Sequence, residues 1–153
     1  MFKKQFVEEV NVATPYLRIL IVDDQPLQRL SIEKAFNSNG YYRIAPVESF
    51  DEFLLLAAQA ADQFDLVVIN SGIKGCTLAR VEELLSGFSI CNMLMYEGQP
   101  PEVIDAQEFG GKKIFMKLPG RPDDRTIKDV MQLVDLKKTE ASRRKVTNLF
   151  RHV

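Results

Sequence analysis

The chain has 153 residues and a formal net charge of −1, and 46% of its residues are hydrophobic. This size and composition suit a single globular domain with a sizeable core. The balanced charge gives no strong attraction to nucleic acid or to an anionic membrane, so we expect neither as a partner. One histidine, His152, and two separated cysteines, Cys76 and Cys91, argue against a histidine-based active site and favour a reduced, cytoplasmic protein.

Short apolar runs alternate along the chain with longer stretches of helical periodicity. The predicted strands are Arg18–Val22, Tyr42–Val47, Leu66–Ile69, Cys91–Met95 and Lys113–Met116. The predicted helices begin near Pro26, Ser49, Thr77, Pro101 and Asp123. The helix over 101–109 has the weakest pattern, whereas the last carries an apolar stripe of Ile127, Val130, Met131 and Val134. This order predicts an α/β fold, a doubly wound, five-stranded parallel sheet in a flavodoxin-like three-layer sandwich.

Polar side chains follow several of these strands, at the edge where functional groups gather in parallel sheets. Asp23 and Asp24 follow the first strand, Asn70 the third, Tyr96 the fourth and Lys117 the fifth. Two adjacent carboxylates can share a divalent cation, although acids also occur at a helix N-terminus for purely structural reasons. Lys117 could neutralise a bound anion, or it could be an ordinary exposed lysine.

Taken together, these positions resemble the receiver domain of two-component response regulators. The motifs are VDD after the first strand, a polar residue after the third and a lysine close to proline after the fifth, and the resemblance covers residues 17–138. It implies that Asp23 and Asp24 form the acidic pair that binds Mg²⁺, and that Lys117 is the lysine that contacts the phosphoryl group. It also implies a phosphoryl acceptor at position 70.

Several of these positions depart from the family pattern. Asn70 stands where the acceptor aspartate belongs, and Tyr96, or Met95 one residue earlier, stands where the small hydroxyl residue belongs. Ile114 stands where the family has an aromatic switch residue, with Phe115 beside it. An amide oxygen is a far weaker nucleophile than a carboxylate, so position 70 should not be phosphorylated.

The pocket could instead hold itself together without phosphate. The Asn70 amide can donate to Asp23 or Asp24, and Lys117 can pair with either acid. The loss of one carboxylate lowers the affinity for Mg²⁺, so we expect no cofactor, or at most weak Mg²⁺ binding.

We expect three parts in the chain: a flexible leader at 1–16, a receiver-like domain at 17–138 and a basic amphipathic extension at 139–153. Val146, Leu149, Phe150 and Val153 recur at helical spacing in the extension. It could lengthen the last helix against its own domain, dock on a partner or a second copy, or contact nucleic acid or a membrane.

The resulting functional expectation is a non-enzymatic, atypical receiver that signals by protein–protein contact through its fourth helix, fifth strand and fifth helix. Its partner could be a histidine kinase, an output protein or a regulatory protein, or the chain could form a homodimer. One alternative is a phosphorylation-responsive regulator that uses Ser71 or Tyr96 as acceptor. Another is a sensor of a small anion or nucleotide, although no glycine-rich phosphate loop supports it.

Overall fold

The computed structural model describes residues 14–97, 107–109 and 113–151. Within these residues the chain forms six strands and four helices. The strands are β1 (Ile19–Val22), β2 (Ile44–Val47), β3 (Leu66–Asn70), β4 (Met93–Tyr96), β5 (Gln107–Phe109) and β6 (Lys113–Leu118). The helices are α1 (Pro26–Ser38), α2 (Phe50–Gln59), α3 (Leu78–Ser86) and α4 (Asp124–Arg151).

The strands form one sheet in the order β2-β1-β3-β4-β6-β5. The first five strands in this order are parallel, and β5 pairs with β6 in the antiparallel direction. The predicted five-stranded, doubly wound parallel sheet is therefore confirmed, with one short strand added at an edge. The order reverses direction at β1, so the crevice between the ends of β1 and β3 is the switch point of this sheet.

The two central strands bury both of their faces because the sheet lies between two layers of helices. Leu20 and Val22 of β1 face a core that includes Phe53 of α2 and Val81 of α3. Ile19 and Ile21, which alternate with them, belong to a second core. That second core includes the following residues of α1 and α4: Ile32, Phe36, Ile127, Val130, Met131 and Val134. The continuous apolar runs in the sequence thus reflect burial on both sides of the sheet.

Local signals set where the helices begin. Pro26 occupies the first turn of α1, where its missing N–H costs nothing. The Ser49 hydroxyl accepts a hydrogen bond of 3.1 Å from the Glu52 backbone N–H, and Thr77 caps α3 in the same way. The Asp123 carboxylate accepts from the Thr126 N–H at 2.8 Å at the start of α4. These predicted starts are confirmed.

The predicted helix over 101–109 is wrong at its C-terminal end. Residues 107–109 form β5, which pairs with β6 through Phe109 opposite Lys113. The rest of that prediction, 101–106, lies outside the described residues. The sequence Gly110–Gly111 misled the interpretation, because a glycine pair is as typical of a hairpin turn as of a helix end.

The last helix, α4, continues past the residues that it buries against the domain. Its predicted apolar stripe is buried in the second core, and the helix then continues to Arg151, into the segment expected to be the extension. Residues 1–13 of the expected leader, and the last two residues of the chain, are not described.

Of the helices in the described ranges, none combines the length and the apolar character that crossing a membrane requires.

Two substitutions on α2 test the assignment of its buried face. Phe53 is fully buried, whereas Leu55 on the same helix is 61% exposed. We expect Phe53→Ala to lower the free energy of unfolding by about 3–5 kcal/mol, because it leaves a cavity in the core. The matched control, Leu55→Ala, should change it by less than about 0.5 kcal/mol. Urea denaturation measures both, and equal losses would contradict the packing described.

Candidate functional site

Three polar side chains meet where neighbouring strands of the sheet end. The register pairs Val22 of β1 with Ile69 of β3, and Asn70 with Tyr96 of β4. Asp23, one residue past Val22, is therefore level with Asn70 and Tyr96. Since side chains alternate along a strand, all three lie on the face that α1 and α4 cover.

The Asp23 carboxylate is fully buried and accepts hydrogen bonds on both oxygens. Its Oδ1 accepts from the backbone N–H of Gln25 at 2.8 Å. Its Oδ2 accepts from the Tyr96 hydroxyl and, at 3.4 Å, from the Asn70 amide nitrogen. Because a buried carboxylate without partners would cost several kcal/mol, these donors are what allow Asp23 to lie here.

Asn70 is held in one orientation by a donor on one side and an acceptor on the other. Its Oδ1 accepts from the Gly72 backbone N–H at 2.9 Å, and its Nδ2 points to Asp23. A side chain at position 72 would crowd this bond, since a Cβ there would lie 3.2 Å from the Asn70 Oδ1. The loop after β3 therefore turns the amide nitrogen, and not its oxygen, toward the acid.

Tyr96 fills the space over Asp23 with a large side chain that is itself fully buried. Burial raises the pKa of the Tyr96 hydroxyl far above its ordinary value, and the hydrogen bond and negative charge of Asp23 raise it further. The nearby charge of Arg121 opposes this rise. The hydroxyl consequently remains a proton donor to Asp23 across the physiological pH range.

Asp24 and Lys117 are close in sequence to the cluster but do not join it. Asp24 is exposed to solvent, and the side-chain amide of Gln25 donates to it at 3.5 Å. Lys117 forms no ion pair with either acid in the described structure, so that expectation is wrong. Its ammonium instead lies 5.6 Å from the centre of the Phe115 ring. Phe115 belongs to the core under α2 and α3, so alternation along β6 places Lys117 on the opposite face of the sheet from Asp23.

Ile114 lies away from the three polar residues. It pairs with Glu108 of β5 and is four residues before Leu118, which is the β6 residue level with Tyr96. Its backbone N–H donates to the side-chain oxygen of Asn92 at 3.1 Å. The structure therefore places Ile114 beside the edge strand β5, and none of the described contacts links it to the cluster.

The residues at this edge do not fit a magnesium ion. Mg²⁺ requires several oxygen ligands at about 2.1 Å, in nearly octahedral geometry. Here Asp23 is surrounded by N–H and O–H donors, and the Asn70 oxygen is bonded to Gly72. Among the described residues, no three His, Cys, Asp or Glu side chains are grouped closely enough to hold a metal.

Sequence reasoning missed several groups that complete the cluster. The backbone N–H groups of Gln25 and Gly72 carry no side-chain signal, since nearly every residue type has a backbone N–H. The Arg29 guanidinium donates to the backbone carbonyl of Asp23 at 2.6 Å, and it fixes the turn between β1 and α1. The sequence pattern did not single out this arginine.

Comparison with known structures shows which fold this is. A response regulator receiver domain protein of Bacillus halodurans superposes with a TM-score of 0.57 at 13% identity, over 77% of this chain and 96% of that one. A CheY-like receiver domain of Methanospirillum hungatei gives 0.56 at 17% identity, over 80% and 97%. An orphan response regulator of H. pylori gives 0.53 at 19% identity, over 80% and 97%.

These three structures share their fold with the present chain, which therefore has the fold of response regulator receiver domains. The sequence shows less similarity to known proteins than the fold does. No protein-family model matches it, and no curated protein matches it.

Replacing Tyr96 by phenylalanine tests the contribution of its hydroxyl. Tyr96→Phe should lower the free energy of unfolding by about 1–3 kcal/mol, because Asp23 loses one of its buried donors. A raised pKa stabilises the fold below the ordinary tyrosine value of about 10, and that stabilisation is lost as the pH rises above it. The variant should therefore lose less stability than the parent protein between about pH 10 and 11.5.

The matched control is Tyr42→Phe, which alters a tyrosine that is 67% exposed. Urea denaturation at several pH values across this range measures how the free energy of unfolding changes with pH in each protein. An unchanged stability at neutral pH in Tyr96→Phe would show that the hydroxyl is not a needed partner of Asp23.

Proposed function

We propose that this chain is a receiver-type signalling protein that acts by protein–protein contact and does not accept a phosphoryl group on an aspartate. The observation that carries this proposal is that hydrogen-bond donors of the chain itself already bind the Asp23 carboxylate. The Tyr96 hydroxyl and the Asn70 amide both donate hydrogen bonds to the Asp23 Oδ2. A receiver built this way has a single, internally satisfied arrangement at the edge where phosphorylation would occur.

The chemistry at position 70 supports the proposal. Attack on phosphorus requires an oxygen with an available lone pair and negative charge, and an amide oxygen has neither to a useful degree. The Asn70 oxygen is also turned toward Gly72 and engaged at 2.9 Å. Both its identity and its orientation disfavour nucleophilic attack.

The lack of free volume beside Tyr96 supports the proposal independently. A phosphoryl group and its cation need a solvent-accessible volume beside the acidic pair. Tyr96 has no exposed surface, and its hydroxyl is bonded to Asp23, so its ring would have to move before such a group could enter. Moving it would break the buried hydrogen bond and open the second core, in which the ring packs.

We place the contact face for a protein partner on α4 and the edge of the sheet that β5 and β6 form. α4 exposes two large apolar side chains, since Leu133 is 43% and Leu136 is 56% accessible. At this edge residues 107–109, the C-terminal end of the predicted helix, form the strand β5 beside β6. A kinase, an output protein or a regulatory protein could each use such a face, and no catalysis by the chain is needed.

Treatment with a small acyl phosphate tests the central part of the proposal. The full chain is incubated with the phosphodonor and Mg²⁺, and its intact mass is measured. We expect no gain of a phosphoryl group, whereas a competent receiver treated in parallel should gain one. A stoichiometric gain that peptide mapping places at Asp23 or Asp24 would refute the proposal. A gain placed at Ser71 or Tyr96 would support a phosphorylated regulator with an unusual acceptor.

A two-residue reversal tests whether Asn70 and Tyr96 are what close the site. Asn70→Asp with Tyr96→Thr brings a second carboxylate next to Asp23 and removes the ring. The two carboxylates repel by a few kcal/mol at the effective dielectric of a protein, and a divalent cation relieves that repulsion. We expect millimolar Mg²⁺ to raise the Tm of the double variant by several degrees and to leave the parent Tm unchanged. The single variants are the controls, and an equal response of the parent protein would contradict the account.

A further inference from the structure

A cleft opens at the amino ends of the strands, at the opposite end of the sheet from Asp23. It has a volume of about 290 Å³ and lies where β1, β2 and the segment before β3 meet. Its lining includes Arg18, Tyr42, Arg43 and Phe64. None of these four residues belongs to the polar cluster described above, so the cleft is a separate feature of the molecule.

Two arginines stand side by side in this cleft. The register pairs Ile19 of β1 with Ile44 of β2, so Arg18 and Arg43, one residue earlier, are level with each other. Adjacent strands are about 4.8 Å apart. Ile19 and Ile44 pack into the core under α1 and α4, and alternation therefore puts both arginines on the opposite face of the sheet. Like charges at neighbouring positions of a sheet repel, so the stability of the fold gives no reason for this pair.

Both guanidinium groups keep most of their hydrogen-bond donors available. Arg18 uses its Nη1 to donate to the backbone carbonyls of Asp62 and Gln63, at 2.7 and 3.4 Å. Arg43 uses its Nη1 to donate to the backbone carbonyl of Tyr16 at 3.4 Å. Among the described residues, neither arginine forms an ion pair with a carboxylate. Because a guanidinium has five N–H donors, the Nε and Nη2 groups of both side chains can serve an added anion.

Two aromatic residues complete the lining that matters here. The Arg18 guanidinium lies 4.4 Å from the centre of the Phe64 ring, and this contact holds the charge in place at the cleft. Phe64 itself is buried, whereas Tyr42 is 67% exposed. A ligand held by the two arginines can therefore pack against the Tyr42 ring. Aromatic rings and arginines together bind planar bases that carry phosphate.

We propose that this cleft binds a small phosphate-bearing molecule with a planar ring, of the class of the mononucleotides. The phosphate accepts hydrogen bonds from Arg18 and Arg43, because the planar fork of a guanidinium matches phosphate oxygens, and the ring packs on Tyr42. The bound anion also relieves the repulsion between the two guanidinium groups.

The size of the cleft sets the size of this ligand. Its volume of about 290 Å³ is close to the lower limit of about 300 Å³ for small-molecule pockets, which suits one mononucleotide and not a polymer. The inference does not depend on the phosphorylation behaviour proposed above, because the cleft lies at the other end of the sheet.

A titration of the isotope-labelled full chain, followed by two-dimensional NMR, tests the proposal. AMP should shift the backbone amides of residues 18–19, 42–45 and 64, and it should leave those of Asp23 and Asn70 unchanged. Inorganic phosphate and adenosine should each bind at least about tenfold more weakly than AMP, since each offers only one of the two contacts. Raising the salt concentration from about 50 mM to about 500 mM should weaken the binding of AMP, because exposed charges are screened.

Substitutions in the lining separate the two contacts. Arg43→Gln should weaken the binding of AMP by about tenfold or more, since charge-assisted hydrogen bonds are lost. The matched control is Arg125→Gln, which removes an exposed arginine from α4 and should leave the affinity unchanged. Tyr42→Ala should abolish the preference for AMP over inorganic phosphate, whereas Tyr42→Phe, which keeps the ring, should retain it. Unchanged amide shifts in β3 and α4 of each free variant confirm that the domain is still folded.

Four results would overturn the inference. The first is no shift at the amides of the cleft with AMP at millimolar concentration. The second is a set of shifts confined to the surroundings of Asp23, which would place the nucleotide at the carboxyl ends of the strands. The third is equal affinity for AMP and inorganic phosphate in the parent chain, which would make the cleft a general anion site. The fourth is equal weakening by Arg43→Gln and Arg125→Gln, which would show that only the total charge of the protein matters.

Discussion

A buried carboxylate with neutral hydrogen-bond donors on both oxygens is the constraint on which the rest of this structure depends. Asp23 sits at the end of a central strand with no solvent access, where an unpaired charge would be prohibitive. Gln25, Asn70 and Tyr96 each donate to it, and Arg29 holds the turn that positions it. Because these donors come from α1, β3, β4 and the loop after β1, one acid ties together the switch-point edge of the sheet.

This arrangement is the physical basis of the proposal that the chain does not accept a phosphoryl group on an aspartate. A receiver that responds to phosphate needs an anionic nucleophile, a cation and room for both. On this proposal the amide of Asn70 stands at the position of the nucleophile, hydrogen-bond donors face Asp23 in place of a cation, and the ring of Tyr96 fills the remaining volume. Lys117, which could have supplied positive charge, lies on the other face of the sheet over Phe115. On the function proposed above, the chain keeps the receiver fold, and each requirement of the phosphorylation chemistry is lost at a different residue.

The sequence predicted the layered fold well because that fold follows from burial. Runs such as Leu66–Ile69 must be covered on both faces, and the starts of three helices are encoded by Pro26, Ser49 and Thr77. It did not predict β5, since a glycine pair fits a hairpin as well as a helix end. At the site, the donation from Asn70 to Asp23 could be anticipated from strand order, and the structure contains it. The position of Lys117 could not be anticipated, because a shift of one residue in register moves a side chain to the opposite face.

A crystal structure of the full chain grown with Mg²⁺ and a phosphoryl-group analogue tests the central claim most directly. We expect the Tyr96 hydroxyl and the Asn70 amide still to donate to Asp23, and no cation to be coordinated between Asp23 and Asp24. A structure in which the ring of Tyr96 has moved aside, with a hydrated cation on both acids and the analogue bound at position 70, would contradict it.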